Sequence, residues 1–172
     1  MAKALALIAS ALCFLAVAAH AHDDMVHAPA VDDYNLDKFC VEGFVYCDGC
    51  RVLFPAAGGN IGQAVVELSC RDRDDGTPTL TIQGKTDNVG YYAINVNKDH
   101  ENDICDVQVV SSPEPDCNII VPAISTTRIN LARNSGIITA SRFANPIGFM
   151  RKEALPECHD VLDSMGFIPA VN

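Results

Sequence analysis

From Cys40 onward, apolar and polar residues alternate in short runs divided by turn-forming residues, the pattern of half-buried β-strands. Residues 41–47 read as a first strand, and residues 55–62, with Pro55 and three glycines, as a turn-rich connection. Ala64, Val66, Leu68 and Cys70 then fall on one face of the next strand. A loop at 74–78 leads to a short strand at 79–83 with Leu80 and Ile82 inward. Turn chemistry at 86–90 leads to a strand that buries Tyr92, Ile94 and Val96. Cys105, Val107 and Val109 share a face within 104–111, and residues 124–131 form a last strand. Beyond it, Asn145-Pro146-Ile147-Gly148-Phe149 reads as an ordered loop covering something apolar. Residues 156–165 read as a short helix, with Pro156 near its start and Gly166 after its end. Strands this short, roughly 8–12 residues apart, predict an all-β fold. The expected architecture is an antiparallel sandwich or barrel of about seven strands with a short C-terminal helix.

The N-terminus changes how the cysteines are read. Met1-Ala2-Lys3, an apolar run over 4–18 and Ala19-His20-Ala21 make a secretory signal peptide over residues 1–21, with cleavage after Ala21. No later run approaches the length of a membrane span, and the C-terminus has neither a lipid-anchor signal nor a retention tetrapeptide. The chain is read as exported and soluble. Residues 22–39, rich in aspartate, read as an acidic flexible tail, and residues 40–172 as one β domain. His22 beside Asp23 and Asp24 lacks a closed ligand set, so it is read as solvated terminus and no metal is expected there.

The whole sequence carries 12 Lys and Arg against 22 Asp and Glu. Loss of Lys3 with the signal leaves 11 against 22, a net charge of −11. That balance argues against nucleic acid or an anionic membrane as partner. About 150 mature residues bury roughly two thirds of their unfolded surface, so disulfides reinforce a core rather than replace one.

Cys13 leaves with the signal, and seven cysteines remain. In an oxidising compartment widely spaced cysteines pair, and an odd count leaves one over. Cys40, at the join of tail and first strand, is the candidate for a free or intermolecularly paired thiol. Strand parity places Cys70 and Cys105 on the apolar faces of different strands, which favours a core cross-link between them. Cys47 and Cys50 admit three readings. As a redox dithiol they need a helix start after them, and Val52-Leu53-Phe54-Pro55 is a poor one. As half of a zinc site they need a second close pair, which is absent. As structural cysteines they take separate long-range partners. No Gly-x-Ser-x-Gly or His-Glu-x-x-His motif occurs, and His22, His27, His100 and His159 mark no nucleophile–base pair. Asp72, Asp74 and Asp75 read as a solvated acidic loop. No catalytic residue and no cofactor are expected.

The run Val41-Glu42-Gly43-Phe44-Val45-Tyr46-Cys47-Asp48-Gly49-Cys50-Arg51 resembles the signature of the Ole e I-like family of pollen allergens and extensin-type proteins. Family-like pieces follow in order: residues 64–70, Thr86-Asp87-Asn88-Val89-Gly90-Tyr91-Tyr92, Cys105, Ser112-Pro113 ahead of Cys117, residues 144–149, and Leu155-Pro156-Glu157-Cys158. The Thr-Asp-x-x-Gly-x-Tyr piece is also similar to transthyretin-like and carboxypeptidase-regulatory sandwiches. The resemblance covers residues 40 to about 160. It implies disulfides Cys47–Cys117, Cys50–Cys158 and Cys70–Cys105, one of the 15 connectivities that six cysteines allow. Each closes a long loop, for which the chain-entropy model gives about 4–5 kcal/mol, not to be summed because the loops overlap.

The resemblance further implies a secreted, non-enzymatic protein of the extracellular space or cell wall. Its expected setting is pollen hydration or tube growth, its partner a receptor ectodomain or wall glycan, and allergenicity is a family trait. Loops 54–62, 72–78 and 134–149 are the candidate recognition segments, because loops usually carry recognition. The alternatives are a secreted protease or other enzyme inhibitor, and a thiol–disulfide oxidoreductase using Cys47 and Cys50. Two departures stand out: Cys40 is extra to the six-cysteine pattern, and no glycosylation sequon exists (Asn134-Ser135-Gly136 is not one). Non-reducing peptide mapping of the mature protein should find the three implied bridges and leave the odd thiol at Cys40, free or joined to a second chain.

Overall fold

A computed structural model describes residues 38–167 of the chain. The signal segment, its cleavage site and the tail up to residue 37 lie outside the described residues, as do 168–172. Nine strands run β1 (Lys38–Asp48), β2 (Val65–Asp72), β3 (Pro78–Lys85), β4 (Tyr91–Asn97), β5 (Asp103–Ser111), β6 (Cys117–Ile119), β7 (Thr126–Ile129), β8 (Ser141–Phe143) and β9 (Ile147–Arg151). Two short helices join them, α1 (Pro122–Ser125) and α2 (Cys158–Ser164). One sheet has the order β4-β1-β9-β6, with β8 also on β1; the other has the order β3-β2-β5-β7. The two sheets do not close into a barrel. Val41, Val45, Ile147 and Phe149 of the first and Val66, Leu68 and Val107 of the second share one core, each fully buried.

Where alternation is clean, the strands lie where the sequence puts them. The departures have physical reasons. Residues 145–149, read as a loop, lead into and form most of β9, a buried strand. Ile147, Gly148, Phe149 and Met150 are all buried, because this strand is covered on both faces and so shows no alternation. The last expected strand, 124–131, is shorter and starts later, because Pro122 opens α1 and the strand begins only at Thr126. β6 and β8 have three residues each, too few for any period to show. β1 starts at Lys38, two residues inside the segment read as tail, so Phe39 is a core residue. Its 11 residues serve two parallel partners: Cys40–Glu42 pairs with β8, and Val45–Asp48 with β9.

Side chains from distant motifs lock onto β1. On its inner face Gly43 lies opposite Tyr92 of β4, and a Cβ at 43 would stand 2.5 Å from the Tyr92 hydroxyl and 2.7 Å from Cζ. On its outer face the Tyr46 ring lies over Gly148 of β9, where an added Cβ would meet ring atoms at 2.9 Å. An aromatic ring covering a cross-strand glycine fills the gap that the missing side chain leaves.

The turn between β3 and β4 completes the lock. Asp87 Oδ1 accepts hydrogen bonds from the Val89 and Tyr91 amides, each at 2.9 Å. Gly90 takes φ +80° there, and its carbonyl accepts the Val45 amide of β1. Buried Thr86 donates its hydroxyl to the Ile61 carbonyl and accepts the Ala64 amide, tying the turn to the start of β2.

Gly43→Ala should cost about 1–3 kcal/mol through overpacking against Tyr92. Combined with Tyr92→Leu, the loss should fall well short of the sum of the two single losses, measured as a double-mutant cycle by urea unfolding.

Candidate functional site

The C-terminal end of β1 is built around a buried carboxylate. Asp48 has no solvent exposure, and its two oxygens accept the Val52 amide at 3.1 Å and the Leu53 amide at 2.8 Å. Those bonds hold a loop in which Arg51 and Leu53 both take positive φ, 59° and 68°. The Arg51 guanidinium then donates to the carbonyls of Arg151 at 2.5 Å and Lys152 at 2.9 Å, at the C-terminal end of β9. Cys47 is bonded to Cys117 of β6, and Cys50 to Cys158 at the start of α2. The third disulfide, Cys70–Cys105, joins directly opposed residues of β2 and β5. A redox dithiol at Cys47 and Cys50 needs those two sulfurs bonded to each other, and the structure pairs each with a distant cysteine instead. The motif that looks most like chemistry is an anchor.

The outer face of the first sheet divides in two. Around the C-terminal half of β1, Tyr46, Met150 and Ile124 form a small buried cluster beneath α1, with Ile119 and Val121 packed on it. Among the described residues, no such cluster covers the N-terminal half. Strand alternation presents Cys40, Glu42 and Phe44 of β1 there, beside Tyr91 of β4 and Phe143 of β8. Phe44 is 41 % and Phe143 75 % exposed. The Phe44 and Tyr91 rings pack tilted, with centroids 5.4 Å apart. In their midst the Tyr91 hydroxyl donates to Glu42 Oε2 at 2.6 Å. The loop leading into β8 carries two further exposed apolar residues, Ile137 and Ile138. Three aromatic rings around one carboxylate, on paired strands of one sheet, form the candidate binding face.

β8 is fastened from below. Arg142 points inward and is buried, its guanidinium 4.7 Å from the centre of the Phe39 ring. It donates to the carbonyls of Thr139 and Ser141. Burial pulls its pKa below the usual arginine value. A buried arginine on a three-residue strand gives no sequence signal, and the sequence reading passed over it.

The family model described as "Pollen protein Ole e 1 like" matches residues 37–166. The chain belongs to that family. The anther-specific protein LAT52 of Solanum lycopersicum is 45 % identical over 170 residues, covering 98 % of each chain. Pollen allergen Che a 1 of Chenopodium album is 39 % identical over 95 % of this chain and 93 % of its own. The crystal structure of the major plantain pollen allergen Pla l 1 matches with a TM-score of 0.62 and 34 % identity, over 70 % of this chain and 99 % of that one.

As an Ole e 1-like protein, the chain differs from a six-cysteine pattern in Cys40, a free thiol half-buried on the candidate face. Burial raises its pKa, and the adjacent Glu42 charge and a hydrogen bond to that carboxylate raise it further. The expected recognition loops fare differently. Segment 134–149 supplies Phe143 to the face. Segment 54–62 is structural: Gly59 and Ala57 accept the amides of Cys47 and Gly49, Ile61 is buried, and Phe54 packs on Phe167. Segment 72–78 is a polar turn in which Asp72 Oδ1 accepts the amides of Asp74 and Asp75, and Asp75 Oδ1 that of Thr77. These aspartates form a turn rather than a ligand cluster.

One grouping escaped the sequence reading. His100 Nδ1 lies 2.7 Å from Asp103 Oδ2, which also accepts the Thr79 hydroxyl at 2.6 Å. Burial pushes the Asp103 carboxyl up, but the bonds from Thr79 and His100 outweigh it and hold the group below its ordinary value. His100 and its partner are three residues apart across a turn, a spacing with no motif attached.

Tyr91 should titrate near pH 12, held up chiefly by its hydrogen bond to Glu42. Because the folded pKa is raised, the stability this contributes is full below pH 10 and lost as pH rises through about 12. Glu42→Gln should bring the Tyr91 titration down in an ultraviolet pH series. The same variant should speed Cys40 alkylation at pH 8, since the thiol loses a neighbour that disfavours its anion.

Proposed function

We propose that this chain is a secreted, non-enzymatic recognition protein of pollen, acting in hydration or tube growth by binding an extracellular receptor ectodomain or a wall glycan. The observation that carries this reading is the half-face of Phe44, Tyr91 and Phe143 around Glu42, left open where α1 covers the neighbouring half. Rigid aromatic side chains offer large contact area at low ordering cost, and they dominate binding energy where they occur. Glu42, charged and held by Tyr91, supplies a directional acceptor for a hydroxyl or a cationic group. The net negative charge favours a partner surface of opposite sign and speeds its approach at low salt. Relatives named for anther and pollen support the tissue, and disulfides linking distant segments support an oxidising, extracellular setting.

The immobilised chain should retain a component of pollen or pistil extracellular extracts, either protein or polysaccharide. Phe44→Ala with Phe143→Ala should weaken that retention at least about tenfold while leaving the unfolding midpoint nearly unchanged. Wild-type retention by the double variant, or no retained component at all, would count against the reading.

A further inference from the structure

The His100 grouping borders the Cys70–Cys105 disulfide. A ring nitrogen of His100 and the two sulfurs all lie within 4.8 Å of one another. Nδ1 is engaged by Asp103, while Nε2 is buried and has no hydrogen-bond partner. The His100 side chain is only 9 % exposed. A buried imidazole nitrogen without a partner is costly unless something completes it. In the disulfide the sulfurs are not thiolates and do not ligate a cation. The chain as oxidised therefore holds a nearly assembled ligand set with its sulfurs tied together.

We propose that Cys70, Cys105 and His100 form a redox-gated site for a borderline or soft divalent cation, with zinc as the type. The gate is the disulfide, and a dithiol reductant opens it. Two electrons and two protons pass from the dithiol to Cys70 and Cys105, the Cys70–Cys105 bond breaks, and the reductant closes its own disulfide. The cation then displaces both thiol protons to solvent and takes two thiolates and the Nε2 lone pair. Two thiolates and a neutral imidazole cancel the charge of a divalent ion, which removes the penalty of burying it.

The strand pairing suits two ligands to one ion. Cys70 and Cys105 are directly opposed, with Cα atoms 4.0 Å apart. Two Zn–S bonds of about 2.3 Å at a tetrahedral angle put the sulfurs about 3.8 Å apart. Rotation about the two Cα–Cβ bonds supplies that separation. Asp103 fixes the ring with Nδ1–H toward its carboxylate and leaves Nε2 basic, the partner that a metal-bound histidine ordinarily has. Thr79 in turn fixes Asp103. The fourth position remains for water, from a cavity of about 250 Å³ lined by His100, Asp103, Glu101, Arg73, Arg128 and Asn130, among others.

The test uses the oxidised full chain, an immobilised dithiol that is removed after reaction, and Co²⁺ as a spectroscopic probe. Peptide mapping after alkylation should show Cys70 and Cys105 free while circular dichroism stays native. Co²⁺ should then bind one to one, with thiolate charge-transfer and tetrahedral ligand-field bands that Zn²⁺ abolishes. Asp103→Asn should weaken binding about 10–100-fold, and His100→Gln at least as much, with the ligand-field bands shifted. Cys70→Ala with Cys105→Ala should remain folded and show no bands, which separates loss of ligands from loss of fold. The proposal falls if Cys70–Cys105 resists the dithiol until the chain unfolds. It also falls if the reduced, folded chain gives no thiolate bands, or if His100→Gln binds Co²⁺ as the wild type does. None of these readouts depends on the recognition partner.

Discussion

A carboxylate with no solvent contact cannot stand alone, and Asp48 is the group around which this domain is arranged. Its two oxygens need donors, and they find the Val52 and Leu53 amides only if the chain folds back sharply after β1. That reversal forces Arg51 and Leu53 into positive φ, a cost of order 1–3 kcal/mol for each residue. Four further bonds hold it there: Arg51 to two carbonyls at the end of β9, Cys47 to Cys117 and Cys50 to Cys158. The signature run around the two cysteines is thus a single mechanical unit. It joins β1 to β6, to the chain after β9 and to α2, elements separated from it by about 70 to 110 residues of sequence.

Anchoring one end of β1 so heavily has a consequence for the other. The C-terminal half of the strand is committed on both faces, inward to the main core and outward to Tyr46, Met150 and Ile124. The N-terminal half is held only from below, by Val41, Gly43 with Tyr92, and Arg142 over Phe39. Among the described residues its outer face is uncovered, so its side chains are not committed to packing. Phe44, Tyr91 and Phe143 stand on backbone that the core has already fixed, so binding through them orders little that was not ordered before.

The sequence made much of this legible and hid the rest for identifiable reasons. Strands half exposed to water, such as those bearing Val66 and Leu68 or Tyr92, Ile94 and Val96, show through alternation because one face meets solvent. β9 was invisible because covering both faces erases the period. The exposed aromatic half-face was invisible too, since it is assembled from three strands far apart in sequence, and its residues are the ones alternation marks as merely outward. His100 with Asp103 was a pair that only the fold brings against Cys70 and Cys105. Cysteine order and short motifs led to the family; neither locates a surface.

Cys40 shows how the two halves of β1 bear on each other chemically. A seventh thiol beside six that must pair is a hazard during folding, because exchange proceeds through the thiolate. Once β1 has paired with β4 and β8, Cys40 sits across from Asn95 and Ser141, with Glu42 two residues along the same outer face. Burial and that carboxylate both disfavour its anion. In the folded sheet the thiol is therefore a poorer nucleophile than a free cysteine. Glu42 thus has two roles at once: it is the acceptor at the centre of the aromatic face, and it keeps the odd cysteine protonated there. A substitution that removed this charge would also remove one influence that disfavours the Cys40 anion, which ties the polarity of the exposed face to the reactivity of its thiol.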